Sequence, residues 1–333
     1  MERLLPFYRS DAVNLYCDDQ SYLQESVDTL IGKKDTHATL VSVTPRSSTW
    51  ANHYFWAVLE ALWRGADTIL PYQHFYTFGG DKNIAVGVGH CHAPGANKFM
   101  PPQLHALEYP NVGYNYFLNI LQLLTSETEA LSDPLFRPVL IFRNPRDQIT
   151  SYSRGLWSPD HTWVKEIAVI IREEGGSPQA VKNVSEFIRE GGAQAICFYI
   201  RSFVDLKTAI DDRVLLLPYE RFIENRKDAC VSMVNHIFAG SDIEIPKEMI
   251  ELAATATDRA NLSKFEKDRN LGLSHWYGRN APGAVREGKA VLHVSSGDVG
   301  QWQGVLEQED IRFIDDMMAK FELDKTLFTY DDK

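Results

Sequence analysis

Two short stretches of this chain gather cations and hydroxyls where a β-strand hands over to a helix. In the first, Arg46, Ser47, Ser48 and Thr49 follow a β-branched apolar run ending at Thr44 and precede a helical pattern opening near Ala51. The first N–H groups of a helix have no intrahelical partners and carry the positive end of its dipole, so such a junction can hold an anion. Arg46 adds a full charge and the three hydroxyls add donors. Ser48 or Thr49 would serve equally as an ordinary N-cap, and this stretch alone leaves both readings open.

The second stretch is IFRNPRDQITSYSRG. Asn144 is a good N-cap, Pro145 suits the first helical position, and Asp147 complements the dipole from the first turn. Asp147, Ser151 and Arg154 then fall at i, i+4 and i+7 on one helix face, which Arg143 at the strand end can reach. Arg143 could instead pair with Asp147 as a plain ion pair. Two basic strand-to-helix turns in one sheet suggest a ligand with two separated anionic groups. No segment has the G-x-x-x-x-G-K-[ST] form of nucleoside triphosphatases.

The elements that must position these turns are legible as buried strands alternating with helices. ATLVSVT (38–44), NIAVGVGH (83–90), PVLIFR (138–143) and RVLLLPYE (213–220) are continuously apolar, as expected of strands covered on both faces. Helical patterns run from Ala51 to Trp63, Tyr114 to Leu124, Pro145 to Leu156, Ala193 to Ile210 and Ala229 to Phe238, with Gly65 and Gly240 at two of the stops. The aromatic group Tyr54, Phe55, Trp56 and Trp63 reads as helix packing, and Asp211, Asp212 and Arg213 as a solvated turn. Such alternation implies an α/β fold with a central parallel sheet flanked by helices, which binds ligands beyond the carboxyl ends of its strands. One domain over 1–333 is expected, with loops at about 94–113, 157–192 and 268–300 shaping a substrate pocket.

Composition narrows the partners. The chain has 333 residues and a formal net charge of -11, which argues against a broad nucleic-acid surface and requires any anion site to be a local basic pocket. The four cysteines, Cys17, Cys91, Cys197 and Cys230, lack a CxxC spacing and suit reduced thiols. No signal-peptide pattern or long apolar run is visible, so a cytoplasmic protein without a membrane span is the expectation. A homodimer is compatible with the sequence, which carries no feature that decides it.

Taken together, these residues resemble the sulfotransferase superfamily that uses 3′-phosphoadenosine 5′-phosphosulfate (PAPS) as donor. PRSSTW (45–50) resembles the family's P-K-S-G-T-T-W or P-R-S-G-S-S signature, with Ser48 in the glycine position. RNPRDQITS (143–151) matches R-N-P-x-D-x-x-x-S at every fixed position, LPYERF resembles the Y-E element, and REG (286–288) with SGDVGQW resembles the R-K-G and G-D-W segments. The motifs stand in family order over about residues 38–305. The resemblance implies a P-loop-like sulfotransferase fold. It implies that Arg46, Ser47, Ser48 and Thr49 hold the 5′-phosphosulfate and that Arg143, Ser151 and Arg286, with Gly288, hold the 3′-phosphate. Tyr219 would meet the adenine, with Trp50 a further candidate, and the product would be 3′-phosphoadenosine 5′-phosphate (PAP).

In small-molecule members of that superfamily a strand ends in K-T-H-L-P, whose histidine is the base. Here VGHCHAP places His92, Ala93 and Pro94 in the H-x-P positions, with His90 where the family has lysine. The implied reaction is transfer of a sulfuryl group to a hydroxyl or amine of a small-molecule metabolite, with His92 as base, Arg46 stabilising the leaving group, and no metal required. His90, Cys91 and His92, with His105, remain readable as metal ligands, and His90 also as a hydrogen-bonded core histidine. A P-loop-like nucleotide-dependent phosphotransferase and a non-catalytic nucleotide-binding relative are the competing functions.

Overall fold

A computed structural model describes residues 36–43, 49–67, 69, 75–79, 83–89, 133–155, 183–189, 193–268, 285–286, 289–290 and 298–328. The helix expected over 114–124 and the loop over 94–113 lie outside these residues. In chain order the elements are β1 (Thr36–Val43), α1 (Thr49–Arg64), β2 (Phe75–Phe78), β3 (Asn83–Gly89), β4 (Val139–Phe142), α2 (Pro145–Gly155), α3 (Val184–Phe187) and α4 (Ala193–Ile210). There follow β5 (Leu215–Pro218), α5 (Tyr219–Glu224), α6 (Arg226–Phe238), α7 (Lys247–Ala256), α8 (Arg259–Asp268), β6 (Val285–Arg286), β7 (Lys289–Ala290) and α9 (Gln308–Lys320).

The sheet has the order β2-β3-β1-β4-β5. β1 runs parallel to β3 and β4, and β4 parallel to β5; among the described strands of this sheet only β2, absent from the sequence reading, is antiparallel. Period-two alternation explains why β4 is buried on both sides. Val139 and Ile141 join a core with Phe55, Trp56 and Leu59 of α1, Met233 and Ile237 of α6, and Ile250 of α7. Leu140 and Phe142 face the other core, with Ile149 of α2, Ile200 and Phe203 of α4, and Ile314 and Met318 of α9. Tyr54, Phe55 and Trp56 are buried, as packing residues should be, and Trp63 is partly buried against the first core.

Glycine sets the end of α1. Gly65 has φ 62, and the pair Gly65 N–H to Leu62 carbonyl (3.2 Å) with Ala66 N–H to Ala61 carbonyl (2.8 Å) forms a Schellman cap. The cap turns the chain towards the edge strand β2. There Glu60 of α1, itself buried, accepts the backbone N–H of Thr77 at 2.8 Å and pairs with Arg64 at 3.0 Å. A helix side chain thus occupies a donor that a bare edge would offer to another strand.

The turn expected at Asp211–Arg213 is a 3₁₀ turn with Asp212 exposed, while Arg213 is half-buried and donates to the Asp133 carbonyl at 2.8 Å. Cys197 and Cys230 are free and buried, and burial pushes their thiols up to about 12 and about 11. Among the described residues no helix is long and apolar enough to cross a membrane.

Two outcomes follow. Glu60→Ala should lower stability to urea by about 0.5–1.5 kcal/mol, the usual net worth of a hydrogen bond, because the Thr77 N–H is half-buried, while Glu60→Gln should recover most of the loss. Neutral-pH alkylation followed by peptide mass mapping should leave Cys197 and Cys230 unlabelled until denaturant is added.

Candidate functional site

The topology itself selects one end of the sheet. β1 leads to β3 on one side of it, whereas its other neighbour β4 leads to β5 on the opposite side. Adjacent parallel strands whose connections diverge leave a crevice at their carboxyl ends, where open α/β sheets bind ligands. Val43 and Ile141 are register partners, so β1 and β4 finish side by side, one before residues 44–48 and α1, the other before Arg143 and α2.

The turn after β4 is built as its residues require. The Asn144 side chain accepts the Arg146 N–H at 3.0 Å, and the Asn144 carbonyl accepts the Gln148 N–H at 2.9 Å, so Asn144 caps α2 and Pro145 begins it. Phe142 is in register with Pro218 of β5, which brings the residues that follow them together. The Arg143 guanidinium lies over the Tyr219 ring, 4.8 Å from its centroid.

Arg143 is 1% exposed, and its charge is met by several groups. Its Nη2 donates to the Asp298 carbonyl at 2.6 Å and stands 3.8 Å from the Asp147 carboxylate, which is fully buried. Arg143 Nε has no hydrogen-bond partner among the described residues. Asp147 accepts the backbone N–H of Gly300 at 2.7 Å and of Trp302 at 3.1 Å, and so fastens residues 298–302 to the first turn of α2. Gly300 has φ 80, a left-handed conformation that favours glycine at this corner. Arg146 continues the attachment, stacking over Trp302 at 4.7 Å and making a two-pronged pair with Asp315 of α9 at 2.6–2.9 Å.

Glu220 joins the corner from β5. Its Oε1 accepts the Asn144 N–H at 3.0 Å, and its Oε2 is buried with no partner among the described residues. Burial raises its pKa above the ordinary glutamate value, and Asp147 adds to that rise, against smaller lowering effects from the Asn144 and Glu220 backbone N–H groups and from Arg143. Arg226 ties the neighbouring corner together by donating to the Ala51 carbonyl in the first turn of α1 (3.3 Å), to the Ala254 carbonyl (3.2 Å) and to the Thr257 hydroxyl (3.0 Å).

Of the candidate residues, the structure thus brings Arg143 and Tyr219 into contact and puts Ser151, half-buried, one helical turn beyond Asp147 on α2. Thr49 and Trp50 open α1, and Arg286 stands in the two-residue strand β6, which pairs with β7; the side chains of these three lie outside the described residues. Arg46, Ser47, Ser48, His92 and Gly288 also lie outside them, as do His90, Cys91 and His105. Among the described residues no group of three or more His, Cys, Asp or Glu side chains could hold a metal ion.

The sequence reading assigned no role to Glu220 or Arg226, and it marked residues 298–302 only through the SGDVGQW resemblance and the end of the 268–300 loop. Glu220 sits inside the YERF motif and Asp298 inside SGDVGQW, so the motifs marked the segments but not these contacts.

No protein-family model matches the chain. No curated protein matches it either. Among solved structures, it is similar to a mouse sulfotransferase complexed with PAP, at 13% identity and a TM-score of 0.47, over 92% of this chain and 92% of that one.

Asp147→Ala should free residues 298–302 and, by leaving the buried Arg143 without its carboxylate, lower global stability as well. Hydrogen exchange should accelerate at the Gly300 and Trp302 amides by at least roughly tenfold more than at the β1 and β4 amides.

Proposed function

We propose that this chain is a PAPS-dependent sulfotransferase that transfers the sulfuryl group to a hydroxyl or amine of a small-molecule metabolite. The observation that carries the reading is the corner at the end of β4. A capped helix start bearing R-N-P-x-D-x-x-x-S lies beside the carboxyl end of β1 at the switch point of the sheet, with a buried arginine at its tip. The donor nucleotide fits this corner on one structural ground: Arg143 Nε is a buried donor without a partner among the described residues.

In this reading Arg143, Ser151 and Arg286, with Gly288, hold the 3′-phosphate. Arg46, Ser47, Ser48, Thr49 and the N-terminus of α1 hold the 5′-phosphosulfate. Tyr219 lies against the adenine with one ring face backed by Arg143, and Trp50 is a second aromatic for it. PAPS supplies an activated sulfuryl group on a phosphate leaving group. Transfer of this type passes through a loose in-line transition state, so positioning and charge stabilisation do most of the catalysis. His92 takes the acceptor proton as the new S–O or S–N bond forms and the S–O bond to the 5′-phosphate breaks, and Arg46 with the α1 N–H groups stabilises charge on the departing phosphate oxygen.

Calorimetry should show binding of PAP without magnesium and much weaker binding of ATP with magnesium; the reverse preference would favour a phosphotransferase. Arg143→Lys, which keeps a charge but loses the planar fork, should weaken PAP by roughly 10–100-fold. His92→Ala should lower turnover by ~10²–10⁴-fold with PAP affinity largely kept. Unchanged turnover in that variant would remove His92 as the base.

A further inference from the structure

Among the described residues, the buried corner at the end of β4 brings the carboxyl groups of Asp147 and Glu220 to the Arg143 guanidinium. Asp147 is fully buried, and Arg143 and Glu220 are each 1% exposed. Asp147 is engaged by Arg143 and by two backbone N–H groups. Glu220 has only the Asn144 N–H on one oxygen, while the other is sealed from solvent without a partner among the described residues. The charged groups that face it there are Arg143, from the end of β4, and Asp147, from α2. If both acids were ionised, a phosphate bound at Arg143 would meet two negative charges in this corner.

We propose that Glu220 is a positioning residue of the anion site, holding the Arg143 turn through the Asn144 N–H while carrying a proton, so that an incoming phosphate meets one carboxylate rather than two. The proposal rests on the reading of Arg143 as a phosphate ligand. A neutral carboxyl keeps its carbonyl oxygen as acceptor for Asn144 and carries an O–H on the other oxygen, so the turn is held in either protonation state. Its charge is what the site must avoid. Bound phosphate adds negative charge nearby and strengthens the hold on the proton.

The direction of the pH effect follows. The native chain keeps this proton above the pH at which the unfolded chain releases it, near ~4.3, so the native state binds more protons and the Glu220 contribution to stability falls as pH rises above that value. Glutamine has the shape of the protonated acid and cannot ionise, so Glu220→Gln should escape the penalty.

The test compares wild type, Glu220→Gln and Glu220→Ala as full chains between pH 5 and 8, by urea unfolding and by PAP titration. The Gln variant should be more stable than wild type by a margin that widens with pH. It should bind PAP within about threefold of wild type at every pH, because wild type carries the proton whose shape Gln reproduces. The Ala variant, without an acceptor for Asn144, should bind PAP roughly tenfold more weakly than Gln at every pH. A stability margin independent of pH, a Gln variant that binds as weakly as Ala, or a Gln affinity gain over wild type that grows with pH would overturn the proposal. Failure of every chain to bind PAP while the stability margin still widens would overturn the nucleotide reading, and with it the anion-site role, but leave the buried proton standing. PAP binding with a flat margin would do the opposite.

Discussion

A guanidinium taken out of water must be repaid by its surroundings, and Arg143 imposes that demand at the carboxyl end of the central strand. Desolvating an ion costs several kcal/mol even after relaxation, and a nearby carboxylate offsets it only when hydrogen bonds accompany the charge. Here the Asp147 carboxylate stands on one side, the Tyr219 ring on another, and the Asp298 carbonyl accepts an N–H. Three separate pieces of chain are thereby drawn to one point. The turn after β4 with the first turn of α2, the start of α5 and residues 298–302 take their relative positions from a single charge.

The same logic extends outward in two directions. Arg146 reaches past Trp302 to Asp315, so the α2 corner is braced by α9. Arg226 reaches the first turn of α1 and the end of α7, so the helix start beside β1 is fixed from the β5 side of the sheet. Both helix N-termini at the switch point are therefore held by arginine contacts that are not themselves available to a ligand. An anion entering between them would meet a pre-built electrostatic setting and little reorganisation, the property that makes such donors effective in catalysis.

Much of this fold is legible in the sequence because it depends on local period. The four continuously apolar runs are strands within about two residues of their expected limits, α4 occupies Ala193–Ile210 as its pattern predicts, and Asn144 and Pro145 announce α2 through chemistry confined to one turn. β2 is only four residues long and lies antiparallel at the sheet edge, too short for its period to stand out. The corner was legible only in part. Arg143 and Tyr219 were marked by motif, but their contact depends on the register of β4 with β5. The Glu220–Asn144 and Asp147–Gly300 hydrogen bonds join residues 76 and 153 positions apart, a separation that no local pattern reports. Residues 298–302 are tied to α2 by Asp147, a contact the SGDVGQW motif does not report.

The central claim is that the buried arginine at the end of β4 is a phosphate ligand of a doubly phosphorylated adenosine, and a crystal structure with PAP bound tests it most directly. The account predicts a phosphate oxygen within ~2.7–3.2 Å of the Arg143 guanidinium, with the nucleotide spanning the carboxyl ends of β1 and β4. PAP bound elsewhere, or at this crevice with Arg143 still engaged only by Tyr219, Asp147 and the Asp298 carbonyl, would contradict it.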